Sequence, residues 1–282
     1  LCAYNLILSI HLLPLFADAT QITEKEVQGL VLDKLSGGLS RKSVKNIIAI
    51  LKAIVRYGEK HCGFPGENWD IRFPTETFNG KLPILSIENH RKLMRNLIEN
   101  PSSLNIGILI ALCTGMRIGE ICALRWADVD LRHRTISVKS TLSRIYNIDT
   151  KRTEQIVSSP KTRNSYREVP ICRELYLALQ SIKNNDKSNS FVIGGTERAK
   201  EPRLYREYFN RLLKRLKIPH IVFHGLRHSF ATRCIECMCD YKTLSVILGH
   251  SNVATTMNLY VHPNQDQKKR CVDRLSKYIN IR

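Results

Sequence analysis

The sequence predicts a mainly α protein of two domains with one small antiparallel β-sheet. Three observations lead there. Apolar residues recur at helical spacing through most of the chain. Strand-like runs occur only between residues 135 and 170. A stretch rich in Gly and Pro, residues 63–84, holds few long apolar runs and reads as an interdomain linker.

The elements follow in order. Residues 1–17 are apolar and read as a buried helix ending near Pro14. Ala17-Asp-Ala19 mimics a signal cleavage site, but no basic segment precedes the apolar run, and Asn5, Ser9, His11 and Pro14 interrupt it. It is also too short for a membrane span. Thr23 is placed to cap a second helix, with Glu24 and Glu26 in its first turn and Gly37-Gly38 at its end. Ser40 is placed to cap a third over residues 41–58, with Val44, Ile47, Ile48, Leu51, Ile54 and Val55 as its apolar stripe. Arg41, Lys42, Lys45, Lys52 and Arg56 fall mainly outside that stripe, as either a solvated face or a DNA-facing one.

Beyond the linker, Ser86 is placed to cap a helix over 87–99, ended by Pro101. Helices over 103–114 and 116–124 follow. The strand-like runs are Thr135–Val138, Gln155–Ser158 and Tyr166–Pro170, with Lys161-Thr-Arg-Asn-Ser165 expected as a hairpin turn between the last two. Helices are then expected over 172–183, 203–216, 224–239, 241–248, 252–260 and 266–280.

The charge balance narrows the function. The 282 residues hold 44 Lys and Arg against 25 Asp and Glu, a formal net charge of +19. Residues 1–80 carry 9 basic and 8 acidic side chains; residues 81–282 carry 35 and 17. So large an excess repels itself in the folded state and calls for a polyanionic partner. Nine scattered cysteines, an odd number, make no disulfide framework and suit a reducing, cytoplasmic setting. Cys234, Cys237 and Cys239 with His228 make a weak metal reading, because they fall mid-helix.

Four segments carry chemistry. In Thr114-Gly-Met-Arg-Ile-Gly-Glu120, Arg117 sits at a helix start after a glycine turn, suited to an anion or to an i,i+3 pair with Glu120. Lys161 lies in the second, on the expected hairpin. In the third, His224-Gly-Leu-Arg-His228, helical geometry puts His224, Arg227, His228 and Ala231 on one face. In the fourth, Gly249 ends one helix, Ser251 is placed to cap the next, and Val253, Met257 and Val261 mark its packed side, with Tyr260 one position off that stripe.

Together these segments resemble the tyrosine recombinase (phage integrase) family. The family order of Arg, Lys, His-x-x-Arg, His and Tyr reads here Arg117, Lys161, His224-Gly-Leu-Arg227, His250 and Tyr260. The set is most like integrases of conjugative transposons. The resemblance implies a helical core-binding domain over 1–75, a linker over 76–84, and an α+β catalytic domain with a tail helix over 85–282. It implies Tyr260 as nucleophile, Arg117 and Arg227 on the phosphate oxygens, Lys161 as general acid, and His224 and His250 as proton and phosphate partners. Glu120 would orient Arg117, and Arg163 would join Arg41, Lys42, Lys45, Lys52 and Arg56 on DNA. Two arginines make a metal ion dispensable, and no cofactor is expected. The expected partners are double-stranded DNA and further copies of the chain, dimer to tetramer through the C-terminal helix, with no membrane. The expected location is the nucleoid. A relaxing topoisomerase with the same tyrosine chemistry and a non-catalytic DNA-binding protein stay open as alternatives. The start at Leu1 rather than Met is in keeping with a truncated chain.

Overall fold

The structure, a computed structural model, describes residues 2–66, 68–74, 84–147, 150, 152–159, 165–183, 189–260 and 265–279. The chain divides into two compact units, Leu1–Gly80 with Ile145–Thr153, and Lys81–Arg144 with Glu154–Arg282.

The first unit begins with α1 (Cys2–Ile7), one π-helical turn (Leu8–Leu12) and α2 (Leu13–Phe16). Contrary to expectation, Pro14 does not end the helix. The wide turn, where the Leu13 N–H reaches the Leu8 carbonyl, has already broken the i→i−4 ladder at the point where proline would break it. The segment is only half buried: Leu12 is enclosed while Tyr4, Leu6, Ile10, Leu13 and Leu15 are exposed. Helix α3 (Glu24–Ser36) opens with a capping box between Thr23 and Glu26. Helix α4 (Arg41–Cys62) is capped by Ser40 and runs past Gly58 to Gly63, whose φ of 66° supplies the left-handed stop. Val27, Leu30 and Val31 of α3 pack against Val44, Ile47, Ile48, Leu51 and Val55 of α4.

Residues 68–74 are not a free linker. Trp69 is buried, and its indole N–H donates to the Ile22 carbonyl at 3.2 Å. Gln28 exchanges two hydrogen bonds with the backbone of Arg72. These bonds tie the segment to the first unit.

The second unit is built around α6 (Asn105–Thr114), whose residues Ile106–Leu112 are all buried. It packs against α5 (Ile87–Glu99), α7 (Ile118–Ala123), α8 (Arg173–Ile182) and α10 (His224–Glu236). A helix apolar on every side belongs at the centre of a core. Helix α9 (Pro202–Arg215) adds Tyr205, Phe209, Leu212 and Leu213 to that core.

The β structure departs from expectation. Among the described residues there are two sheets: β1 (Val129–Asp130), β2 (Thr135–Val138) and β5 (Arg167–Pro170) in the order β1-β2-β5, and a separate pair of β3 (Thr141–Asn147) and β4 (Arg152–Ser158). Strand β5 therefore pairs with β2 and not with β4, with Ile136 opposite Val169 and Val138 opposite Arg167. Alternation decides this: β5 has one buried face to offer, and β4 is almost wholly exposed.

The C-terminal part holds α11 (Tyr241–Leu248), α12 (Val253–Tyr260) and α13 (Gln265–Ile279). Asn252 supports the start of α12, its Oδ1 accepting from Ala254 N at 2.8 Å. Among the α12 side chains that are described, Thr256 is buried and Met257 is exposed. Val261 lies outside the described residues. Among the described residues no helix is long and apolar enough to cross a membrane.

Candidate active site

Helix α6 ends at Gly115, whose φ of 65° turns the chain toward α7. A Cβ there would come within 2.6 Å of Phe230 and 2.7 Å of Leu248, so glycine is required twice over. Two residues on, Arg117 sits at the N-cap of α7 with extended backbone. Its N–H donates to Glu120 Oε2 and its Nη1 to Oε1, both at 2.9 Å. The i,i+3 pair and the placement at a helix start are both realised, since one carboxylate grips the backbone and the side chain of Arg117 together.

Glu120 is buried and has a second cation, Arg167, on β5. Arg167 donates Nη2 to Oε2 at 2.8 Å and Nη1 to Oε1 at 3.2 Å. Burial alone would push the carboxyl up; Arg167 and then Arg117 bring it below the ordinary carboxylate value. No motif in the sequence singles out Arg167. The signal that finds it is strand alternation, which puts Arg167 on the same face as Val169.

Arg227, in the first turn of α10, is 2% exposed, and its Nη1 donates to the Gly115 carbonyl at 2.9 Å. The expected helix face of His224, Arg227 and His228 is not a solvent face: only His224 of the three is exposed. The rings of His224 and His228 meet edge-on at 4.6 Å. His250 follows Gly249, and its Nδ1 shares a 2.8 Å hydrogen bond with the buried hydroxyl of Thr256.

These groups feel one another. The protonation of His224 is pushed down to about 4, by lost hydration and then by His228, Arg227 and Arg117. His250 is also held at about 4, by lost hydration and then by Arg227, Arg117, Arg167 and His224. Both imidazoles are therefore neutral near pH 7. Two guanidiniums and two neutral imidazoles from α6–α7, α10 and the α11–α12 turn converge, a set able to bind a phosphate and hydrogen-bond its oxygens.

The backbone of Tyr260 closes α12, ten residues after His250; its side chain, and all of Lys161 and Arg163, lie outside the described residues. On α4, Arg41 and Lys45 both stand over the Phe73 ring, at 5.3 and 5.4 Å. Lys52 Nζ donates to the Trp69 carbonyl at 3.3 Å, while Lys42 and Arg56 are exposed. Among the described residues no group of three or more His, Cys, Asp or Glu is gathered to hold a metal ion, the Cys234–Cys239 segment included.

The model of the phage integrase family matches residues 84–267. The chain belongs to the phage integrase family. Among its relatives, a XerC-like tyrosine recombinase of Caldanaerobacter subterraneus subsp. tengcongensis is 29% identical over 272 residues, covering 85% of this chain and 67% of that protein. The transposase of transposon Tn916 from Enterococcus faecalis is 33% identical over 187 residues, covering 60% and 45%. The integrase of transposon Tn1549, solved in complex with transposon right end DNA, superposes with a TM-score of 0.75 at 25% identity, covering 97% of this chain and 94% of that one. The chain spans about two thirds of the XerC-like protein and under half of the Tn916 transposase.

Proposed function

We propose that this chain is the DNA-binding and catalytic part of a site-specific recombinase of a conjugative-transposon-type element. It cuts and rejoins DNA through a 3′-phosphotyrosyl link to Tyr260. The observation that carries the reading is the hydrogen bond from Arg227 to Gly115, two residues before Arg117, which joins two guanidiniums beside His224 and His250. Relatives that are a recombinase and a transposase favour this over a relaxing topoisomerase.

In this reading the Tyr260 hydroxyl attacks the scissile phosphorus. The phosphorus–O5′ bond breaks, and Lys161 protonates the leaving 5′-oxygen. Arg117 and Arg227 hold the non-bridging oxygens as negative charge grows on them. Neutral His224 accepts the tyrosine proton. With the Thr256 hydroxyl donating to Nδ1 of His250, Nε2–H is left to donate to a phosphate oxygen. A 5′-hydroxyl of the partner strand reverses the step, so the phosphotyrosyl bond conserves the energy and neither ATP nor a metal is required.

The partner is double-stranded DNA, as in the complex of the Tn1549 integrase. The first unit serves as the core-binding domain, with Lys42 and Arg56 among its exposed cations. The net charge of residues 81–282 makes binding strongly salt-dependent. Copies of the chain assemble on DNA, dimer to tetramer, through α13, whose Val272, Leu275, Tyr278 and Ile279 are all exposed. Such a protein works at the nucleoid.

The test is a nicked suicide duplex carrying a candidate core site, in buffer containing EDTA. Wild-type protein forms a covalent adduct on a denaturing gel, and Tyr260→Phe binds the duplex without forming it. An adduct with Tyr260→Phe, or a requirement for Mg²⁺, overturns the reading.

A further inference from the structure

The side chain of Arg167 is 3% exposed and that of Glu120 is 5% exposed. Taking two charges out of water is costly, and an apolar pair of the same volume often holds a core as well. What such a pair supplies is direction. Each Glu120 oxygen is shared: Oε1 accepts from Nη1 of both Arg117 and Arg167, and Oε2 accepts from the Arg117 N–H and Nη2 of Arg167.

The other edge of the same guanidinium faces the turn that carries His250. Arg167 Nε donates to the Ile247 carbonyl at 2.6 Å, and Nη1 also reaches the Ser165 carbonyl at 3.3 Å. Gly249 lies directly against it. A Cβ at 249 would stand 3.0 Å from Nη1, 3.1 Å from Cδ and 3.2 Å from Cζ. With φ at +68°, that glycine both makes the left-handed turn and leaves room for the guanidinium.

We infer that Arg167 is a positioning residue: it locks Glu120, and through it Arg117, to the turn that carries His250, so that the phosphate-binding arginine and the histidine keep a fixed spacing. The inference rests on the recombinase reading above. A planar fork with five donors can serve a carboxylate on one edge and a carbonyl on the other; an ammonium cannot hold both at fixed angles. The charge of Arg167 also adds to those of Arg227 and Arg117 in disfavouring protonation of His250.

The test is single-turnover cleavage of the nicked duplex at saturating protein, reading rate constant, amplitude, DNA affinity and melting temperature separately. Arg167→Lys keeps the charge and is expected to bind DNA within about twofold of wild type and to reach the full amplitude. Its rate constant falls by about tenfold to a hundredfold, the scale of a small misplacement of a reacting group. A purely structural role would instead lower amplitude and melting temperature while leaving the rate constant of the folded, bound protein unchanged. Should Arg167→Lys fold poorly, the double variant Arg167→Met with Glu120→Gln removes both buried charges. It is expected to stay folded and to cleave at least about tenfold slower. A near wild-type rate constant in whichever variant folds overturns the inference alone. Wild-type protein that leaves the duplex uncut overturns the recombinase reading and the inference with it.

Discussion

Arg227 donates Nη1 to the carbonyl of Gly115 at 2.9 Å, which hydrogen-bonds the arginine of α10 to the turn that presents Arg117. The carbonyl is the one freed where α6 ends, so a helix terminus that needs a donor and an arginine that needs a fixed direction satisfy each other. Arg227→Lys separates these roles, because one ammonium cannot bond this carbonyl and also grip a phosphate through two oxygens at fixed angles. Cleavage of the nicked duplex is expected to fall by about a hundredfold or more, with DNA affinity within about threefold. Loss of the buried bond destabilises the protein by about 1 kcal/mol, visible in thermal melting. Cleavage near the wild-type rate removes Arg227 from the site.

The two depressed histidines make a prediction about stability and pH. His224 and His250 hold their protons less well in the folded protein, near pH 4, than the ordinary 6.5 they regain on unfolding. The unfolded state therefore binds more protons between these limits. Stability is full above about pH 6.5 and declines as pH falls toward 4. His90 and His228 are shifted the same way, while the exposed His133, raised by Asp130, acts in the opposite sense. Urea midpoints measured from pH 7 to pH 4.5 are expected to fall, and His224→Gln with His250→Gln should flatten the slope. A slope unchanged in that double variant means that neither histidine is depressed.

A thiol outside the site gives a third test. Cys172 caps α8 and is exposed. The neighbouring Cys113 thiol holds its pKa at about 7, against the opposing pull of burial and with help from the Leu175 N–H. The same pairing of thiols, with burial, pushes the Cys113 thiol well up. At pH 7, Cys172 is about half thiolate, whereas an unperturbed thiol is ionised to a few per cent. Iodoacetamide in limiting amount should therefore label Cys172 ahead of the exposed Cys62 and Cys237 by peptide mapping, and Cys113→Ala should slow it. Even labelling of the three overturns the assignment.

What the sequence made legible, and what it hid, divides by range. The Thr23, Ser40 and Ser86 caps and the Arg117–Glu120 contact span three residues each, and all four are present as read. The partner of β5 lies some thirty residues away on β2, past β3 and the exposed β4, and no local pattern names it. Arg167 was missed for a related reason: a buried cation is credible only once its counter-charge is known, and Glu120 is 47 residues upstream. The π turn before Pro14 and the run of α4 beyond Gly58 are cases where tertiary packing overrode a breaker residue whose local cost is only about 1–3 kcal/mol.

The last prediction concerns α13. Every residue from 272 to 279 is exposed, including Val272, Leu275, Tyr278 and Ile279, which recur at helical spacing. An amphipathic helix gains most of its stability from burying that stripe, and each large aliphatic side chain it hides contributes about 1.5–3 kcal/mol. A pocket on a second copy of the chain would collect this energy only when two copies are bound side by side, so on the proposed assembly the helix would convert proximity on DNA into cooperativity. A head-to-tail contact of that kind closes into a ring when repeated. Deleting residues 265–282 is then expected to leave binding to an isolated half-site within about twofold, and to weaken cooperative occupancy of two adjacent half-sites by about tenfold or more. Gel-shift titrations on one-site and two-site duplexes measure the two quantities separately. Cooperativity that survives the deletion means that another surface joins the protomers, and a loss of single-site affinity means that α13 serves its own catalytic unit.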